Sequence, residues 1–391
     1  MRIGMMLRHY DQHGGGVKVY TRKLLQAMLE LKTGHEFVLF YRNPSSVGSH
    51  GSDPQVTEVA LSAPSVLLWD QVAVPLAVRR FGVDLLFNPK YSIALAVRCP
   101  TVWVCHGLDW YVMPWASKPI DRLSHRYLVP RYAAKADAII AVSEITRQHV
   151  MQYLRVEPER VTTVYSGMGE GFRRRQSRER LDSVRKKYNL PERFFLYAGA
   201  IYPPKNFARL VQAYARVGPA RGVPLVVAGG QNRFLSEGEI KEPERLGITE
   251  WVRWPGWIEG EDDLAALYQM AEALLLPSLF EACPLPILEA MASGCPIVTA
   301  DRYGTKEMAG DAGLLVNPES VESIAAGMAQ ILEDRATRDR LIQAGRERAN
   351  SFSWPRCARE TLDVLERAHQ GDEPGPRSQA RVPATHEVPQ P

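Results

Sequence analysis

The sequence predicts an α/β protein built from two doubly wound, parallel-sheet domains in series. Three observations lead there. The chain has 391 residues, more than one ordinary hydrophobic core organises. Short, nearly continuous apolar runs alternate with helical segments, a pattern of parallel strands covered on both faces. The alternation stops over residues 169–191, which are polar and strongly basic, and then restarts.

In the first half, strands are expected at residues 2–7, 36–41, 83–88, 101–105, 138–142 and 161–165. Helices are expected between them, notably at 17–31, 69–80, 120–135 and 145–153. The basic stretch suits a linker with a short helix. Strands follow at 194–198, 225–228, 252–255, 273–276, 297–300 and 314–316, with helices that include 285–293, 321–334 and 338–351. A last helix runs from a Ser353 cap and Pro355 to about residue 369. The remainder is rich in Pro and polar residues without periodicity and is expected to be disordered. The expected division is 1–170, 171–352, a closing helix at 353–370 and a tail at 371–391. In doubly wound sheets the active site lies beyond the strand carboxyl ends, here in a cleft where those of the two domains face each other.

Composition narrows the function. Apolar residues make up 45% and charged residues 24%, the balance of a soluble globular protein. No apolar run approaches the ~20 residues of a membrane span, and the first residues read as a strand rather than a leader. A cytoplasmic location is expected. The five cysteines form no metal-ligand spacing, so reduced thiols are expected. A net charge of +4 is too small to argue for nucleic acid. The basic residues cluster at 173–187 and along 118–135. In the second cluster Leu123, Tyr127 and Leu128 interleave with arginines, as in a helix that contacts anionic lipid.

The most informative segment is SLFEACPLPILEAMASGCPIVTAD, residues 278–301. Glu281 follows a strand, Glu289 lies in the next helix, and seven residues separate them. The segment resembles the E-x7-E element of the GT4 family of retaining glycosyltransferases, which have the GT-B fold and usually carry EGFGLPxLEAMAxGxPVV here. The resemblance extends from the N-terminal glycine loop to about Arg367, and it implies that the last helix packs back on the first domain. It also implies roles. Glu281, at a strand end, would accept hydrogen bonds from the donor sugar and favour the positive charge developing at its anomeric carbon. Glu289 would reach the ribose hydroxyls, and the helix start at Leu285 would favour the diphosphate. Where the family has GFG, this chain has Ala282–Cys283–Pro284, and Pro284 has no N–H to offer a phosphate.

Other segments agree. His13–Gly16 feeds a helix start, and Gly15, Gly16 and Tyr20 match the family's GG-x-x-x-x-Y element, where backbone approaches the donor closely. His106 follows a strand and resembles the histidine of an HD motif that contacts the donor sugar, with Gly107 in place of the usual aspartate. Lys205 and Asn206 match an R-K-N pattern, with Pro204 replacing the arginine. One ammonium there would still stabilise the departing diphosphate, and Arg233 is a candidate second cation. AVSEITRQHV and the stretch around Glu307 also match the family and read as scaffold.

No DxD triplet is found, and Asp262–Asp263 reads as a helix start. The resemblance therefore implies a metal-independent hexosyltransferase without cofactor. It would move mannose or glucose, with a lean to GDP-mannose, onto a glycan or lipid-linked acceptor, commonly in bacterial surface polysaccharide or lipopolysaccharide synthesis. Two alternatives share the features: a GT-B sugar-nucleotide epimerase, and a non-catalytic nucleotide-sugar-binding subunit. Acceptor-dependent release of nucleotide separates the first from a transferase, and donor binding without turnover identifies the second.

Overall fold

The computed structural model describes all residues except 11–14, 91, 118, 230–236 and 372–391, and the side chains of Pro119, Ile120, Ser124 and Glu237. Arg233 and nearly all of the expected tail lie outside the described residues. The chain forms two compact units, one from Met1–Gly167 with the last helix, the other from Met168–Ser353.

The first unit is built on seven parallel strands: β1 Arg2–Met6, β2 Glu36–Tyr41, β3 Val56–Ala60, β4 Leu85–Asn88, β5 Thr101–Cys105, β6 Ala138–Ala141 and β7 Val161–Thr163. Their order is β3-β2-β1-β4-β5-β6-β7. The central strands are buried from end to end, as β5 (TVWVC) is, which is why they read as unbroken apolar runs. The last helix, Trp354–Gln370, packs on this unit, as the resemblance implies. Trp354 packs edge-on to Tyr20 at 5.7 Å.

The sequence reading missed β3. It is an edge strand (VTEVA) with no fully buried residue, so it lacks the apolar run that marks the others. The helix expected at 69–80 starts at Val66 and contains a π-helical segment, Trp69–Ala73, before Val74–Arg80. Pro75 explains the insertion, since a proline cannot donate to the preceding turn.

The second unit holds six parallel strands: β8 Phe195–Ala198, β9 Leu225–Ala228, β10 Val252–Gly256, β11 Ala273–Leu276, β12 Ile297–Ala300 and β13 Leu314–Val316. Their order is β10-β9-β8-β11-β12-β13. Much of the basic stretch is structural here. Lys187 Nζ and Tyr188 Oη donate to Asp263 at 2.8 and 2.9 Å, and Arg180 pairs with the same carboxylate. Asp263 thus anchors the helix Arg178–Lys187 to the helix Glu261–Met270, a larger role than the helix-start reading gave it. All five cysteines are free thiols. Among the described residues no helix is long and apolar enough to cross a membrane.

Candidate functional site

Open parallel sheets bind ligands beyond the strand carboxyl ends, where the strand order reverses. The first sheet reverses between β1 and β4, the second between β8 and β11. In the first unit Gly15 and Gly16 follow β1, and His106 follows β5, the neighbour of β4. In the second, Lys205 and Asn206 follow β8, and Glu281, Leu285 and Glu289 follow β11.

In the second unit the β8 and β11 loops are tied to each other. The Leu279 amide donates to the Pro204 carbonyl at 2.8 Å, so Pro204 fixes the loop that carries Glu281. Asn206 adopts a left-handed conformation (φ 59°) at the start of the helix Phe207–Val217. Its Nδ2 donates to the carbonyls of Pro277 at 2.9 Å and Pro318 at 2.6 Å, while its Oδ1 accepts from Arg209 at 3.0 Å. These bonds make Asn206 a brace for the loops after β8, β11 and β13, where the sequence reading had it touching the donor.

This brace holds Lys205 against Glu281. The two form a hydrogen-bonded ion pair, and both residues are buried, at 9% and 8% exposure. Ser278 Oγ donates to the same Glu281 oxygen at 3.0 Å. Burial works against the Lys205 ammonium, but Glu281 outweighs it and holds the lysine above its ordinary pKa. The Tyr202 ring lies 5.7 Å from the ammonium. Behind Glu281, the Gly304 amide donates to the Glu281 carbonyl at 2.9 Å. A side chain at Gly304 would strike the Ala282 carbonyl, so the loop is clasped as closely as backbone allows.

Leu285 opens the helix Leu285–Ser293, with Pro284 at its cap. The Ile287 amide turns back to the Pro284 carbonyl at 3.0 Å, and Pro286 has no N–H. Glu289, one turn into the helix, accepts from the hydroxyl of buried Tyr268 at 2.9 Å. Burial raises its pKa to about 7, against the Tyr268 bond.

In the first unit, Gly15 caps the helix Gly16–Glu30 with φ 99°, a conformation that favours glycine. Among the described residues, neither Gly15 nor Gly16 has a neighbouring atom within 4 Å of where a Cβ would stand. Tyr20, one turn along, presents its ring edge-on to His106 at 4.7 Å. His106 Nε2 lies 2.7 Å from the Pro89 carbonyl. Since a carbonyl only accepts, Nε2 carries the proton. Burial lowers the pKa to about 4, so the ring is neutral near pH 7 and its Nδ1 is an acceptor. Gly107 has φ 117°, which explains why an aspartate does not stand there.

The sequence reading did not find Ser278, Tyr268, Arg8, Asp70 or Lys90. Arg8 follows β1 and pairs with buried Asp70 at 2.6 Å. Lys90 follows β4, and burial lowers its pKa to about 8, with Arg8 adding to the effect. The polar run Asn88–Pro89–Lys90 at a strand end was the available signal. Tyr268 and Ser278 gave none, because they sit inside otherwise apolar segments. Glu307 lies half-buried in the helix Tyr303–Ala309. Ser143 caps the helix Glu144–Leu154 through the Thr146 amide at 3.2 Å, a scaffold role. Among the described residues no group of three metal-ligating side chains converges.

Comparison with known proteins gives a consistent result. The family model "Glycosyltransferase Family 4" matches residues 14–168 and "Glycosyl transferases group 1" matches 180–348. The O-antigen chain mannosyltransferase B of Escherichia coli is 32% identical over 266 residues, covering 66% of this chain and 68% of that protein. The MMP alpha-(1->4)-mannosyltransferase of Mycolicibacterium hassiacum is 31% identical over 427 residues, covering 94% and 98%. Among solved structures, Anabaena HepE in complex with UDP-glucose superposes with a TM-score of 0.76 at 18% identity, covering 94% of this chain and 99% of that one.

Proposed function

The chain belongs to the GT4 family of glycosyltransferases, and on that premise we propose that it is a retaining, metal-independent hexosyltransferase. It moves mannose from a nucleotide diphosphate donor, with GDP-mannose the first choice, onto a glycan or lipid-linked glycan in surface polysaccharide synthesis. It works in the cytoplasm, at the inner membrane face. The sugar is assigned from its mannosyltransferase relatives.

The observation that carries the reading is the Lys205–Glu281 pair on the loops of the second switch point. With donor bound, the Lys205 ammonium neutralises the departing diphosphate, the task otherwise given to a metal ion. Glu281 faces the sugar and favours positive charge at the anomeric carbon. The Leu285 amide, at the helix start, adds a donor to the phosphates. Glu289 takes the ribose hydroxyls. In the first unit, neutral His106 offers Nδ1 as an acceptor for a sugar hydroxyl. The leaving phosphate oxygen accepts the acceptor's proton on the face from which it departs, so the anomeric configuration is kept without an enzymic base.

The test is a thermal-shift panel of nucleotide sugars, followed by a transfer assay with and without chelator and assignment of the product anomer. A ligand at a hundred times its Kd adds about 2.7 kcal/mol of stability. Lys205→Ala and Glu281→Ala are expected to abolish transfer in folded protein. Near-normal rates in both would overturn the site.

A further inference from the structure

Twelve large apolar side chains are exposed among the described residues, and eight of them lie between Val66 and Tyr127. They fall on two helical segments and the turn before one of them. Leu68, Val72 and Leu76 stand outward on successive turns of the run from Val66 to Arg80, at 44%, 48% and 66% exposure. Leu123 and Tyr127 do the same on the helix Pro119–Lys135, and Trp115 is 62% exposed just ahead of it. Leu128, which the sequence grouped with them, packs instead against the core beneath. A concentration of this kind is unusual on a soluble surface.

The two segments adjoin. Gln71 Nε2 donates to the Ile93 carbonyl at 2.9 Å, and its Oε1 accepts from the Leu95 amide at 3.0 Å. Ile93 and Leu95 belong to the apolar cluster that includes Val129 and Tyr132 of the second helix. Both segments also stand at the strand carboxyl ends. Asp70 holds Arg8 just after β1, and His125 stacks on Trp110 at 4.1 Å, just after β5. The apolar surface therefore borders the same edge of the sheet as His106.

Charge identifies the partner. Arg79, Arg80, Arg122, Arg126 and Arg131 are exposed on these segments. Their only acids are Asp70, which is buried against Arg8, and Asp121. Apolar side chains beside five exposed arginines and a single exposed acid, with a tryptophan and a tyrosine, fit an interface of acyl chains and anionic headgroups. Two copies meeting through this face would bring like charges together.

We propose that the outward faces of 66–80 and 119–135, with Trp115, form the surface by which the protein docks on an anionic bilayer. The docking sets the strand-end site beside lipid-linked acceptor. Its purpose rests on the acceptor reading above, but its test needs neither donor nor acceptor.

The test is co-sedimentation of the full chain with vesicles of equal parts phosphatidylglycerol and phosphatidylethanolamine, against phosphatidylcholine, in ~0.1 M salt. The anionic vesicles are expected to bind it and phosphatidylcholine to bind it poorly. Leu68→Ser/Val72→Ser/Leu76→Ser and Arg122→Glu/Arg126→Glu should each lower partition at least about tenfold, with transfer to a soluble glycan kept. In the unaltered chain, brominated lipid should quench a fluorescence component that disappears in Trp115→Phe, a readout independent of the serine variant's folding. Three results would overturn the proposal: no binding to anionic vesicles, binding unchanged by the serine substitutions, or a solution dimer that those substitutions dissociate. Loss of transfer with vesicle binding intact would count against the proposed function alone.

Discussion

Glu281→Gln should tighten the binding of free nucleoside diphosphate while it destroys transfer. Lys205 and Glu281 side chains are 11% and 10% exposed and pair directly. Removing one partner of a buried pair costs about 3–5 kcal/mol, because the other charge is left uncompensated. Glutamine retains an oxygen for Lys205 and for Ser278 Oγ, so the hydrogen bonds largely survive and the charge term is what changes. At the effective dielectric of such sites, opposite charges 4 Å apart attract by about 4 kcal/mol. If a diphosphate recovers a third of that from the unpaired ammonium, affinity rises by about 1.4 kcal/mol, or tenfold. Calorimetric titration of GDP and UDP into the folded variant reads this directly. Lys205→Met is the mirror experiment and should weaken the same binding. An unchanged or weaker diphosphate affinity in Glu281→Gln would refute the idea that Glu281 competes with the diphosphate for Lys205.

Two further predictions follow from the second unit. Glu289 keeps its proton in the folded chain up to about pH 7 against an ordinary 4.5, so between these values the folded state binds more protons than the unfolded one. Its contribution is whole below that window and is lost as pH rises through 7, by about 1–3 kcal/mol. The stability difference between Glu289→Gln and wild type in urea should therefore grow from pH 5 to pH 8, and a constant difference would count against it. Gly229→Ala should cost at least about 3 kcal/mol by chemical denaturation, since its Cβ would stand 2.0 Å from the Gly199 carbonyl at φ +149°. Unaltered stability would show that the loops after β8 and β9 do not touch.

Both sheets were legible in the sequence because nine of their thirteen strands are buried on both faces or nearly so, and burial is what makes an apolar run. β3 was not, because an edge strand with Glu58 at its centre has no such run. The π-helical segment was equally invisible. Pro75 was on view, but a proline signals an interruption without saying whether the chain kinks, ends or widens its turn. Asn206 shows a different limit. Its place beside Lys205 was readable, yet which of two carbonyls or a ligand its amide serves depends on Pro277 and Pro318, which are 71 and 112 residues away.

The same distance explains why the site was half legible. Strand order is absent from local sequence, but each glycine, histidine or acid placed just after an apolar run was bound to emerge at a carboxyl end. That rule, together with the family resemblance, singled out Glu281, Lys205, His106 and the Gly15–Gly16 turn. It could not say that Lys205 and Glu281 would touch, which follows only because β8 and β11 are adjacent, pairing Leu196 with Leu274 across 78 residues of chain. The hydrogen-bond partners of the two acids, Ser278 for Glu281 and Tyr268 for Glu289, come from the interior side of the site. There, selection for packing makes a hydroxyl look like any other small or aromatic core residue. The motif residues therefore show in sequence while the residues packed behind them fade, and the pKa of Glu289 is raised by burial on the side that fades.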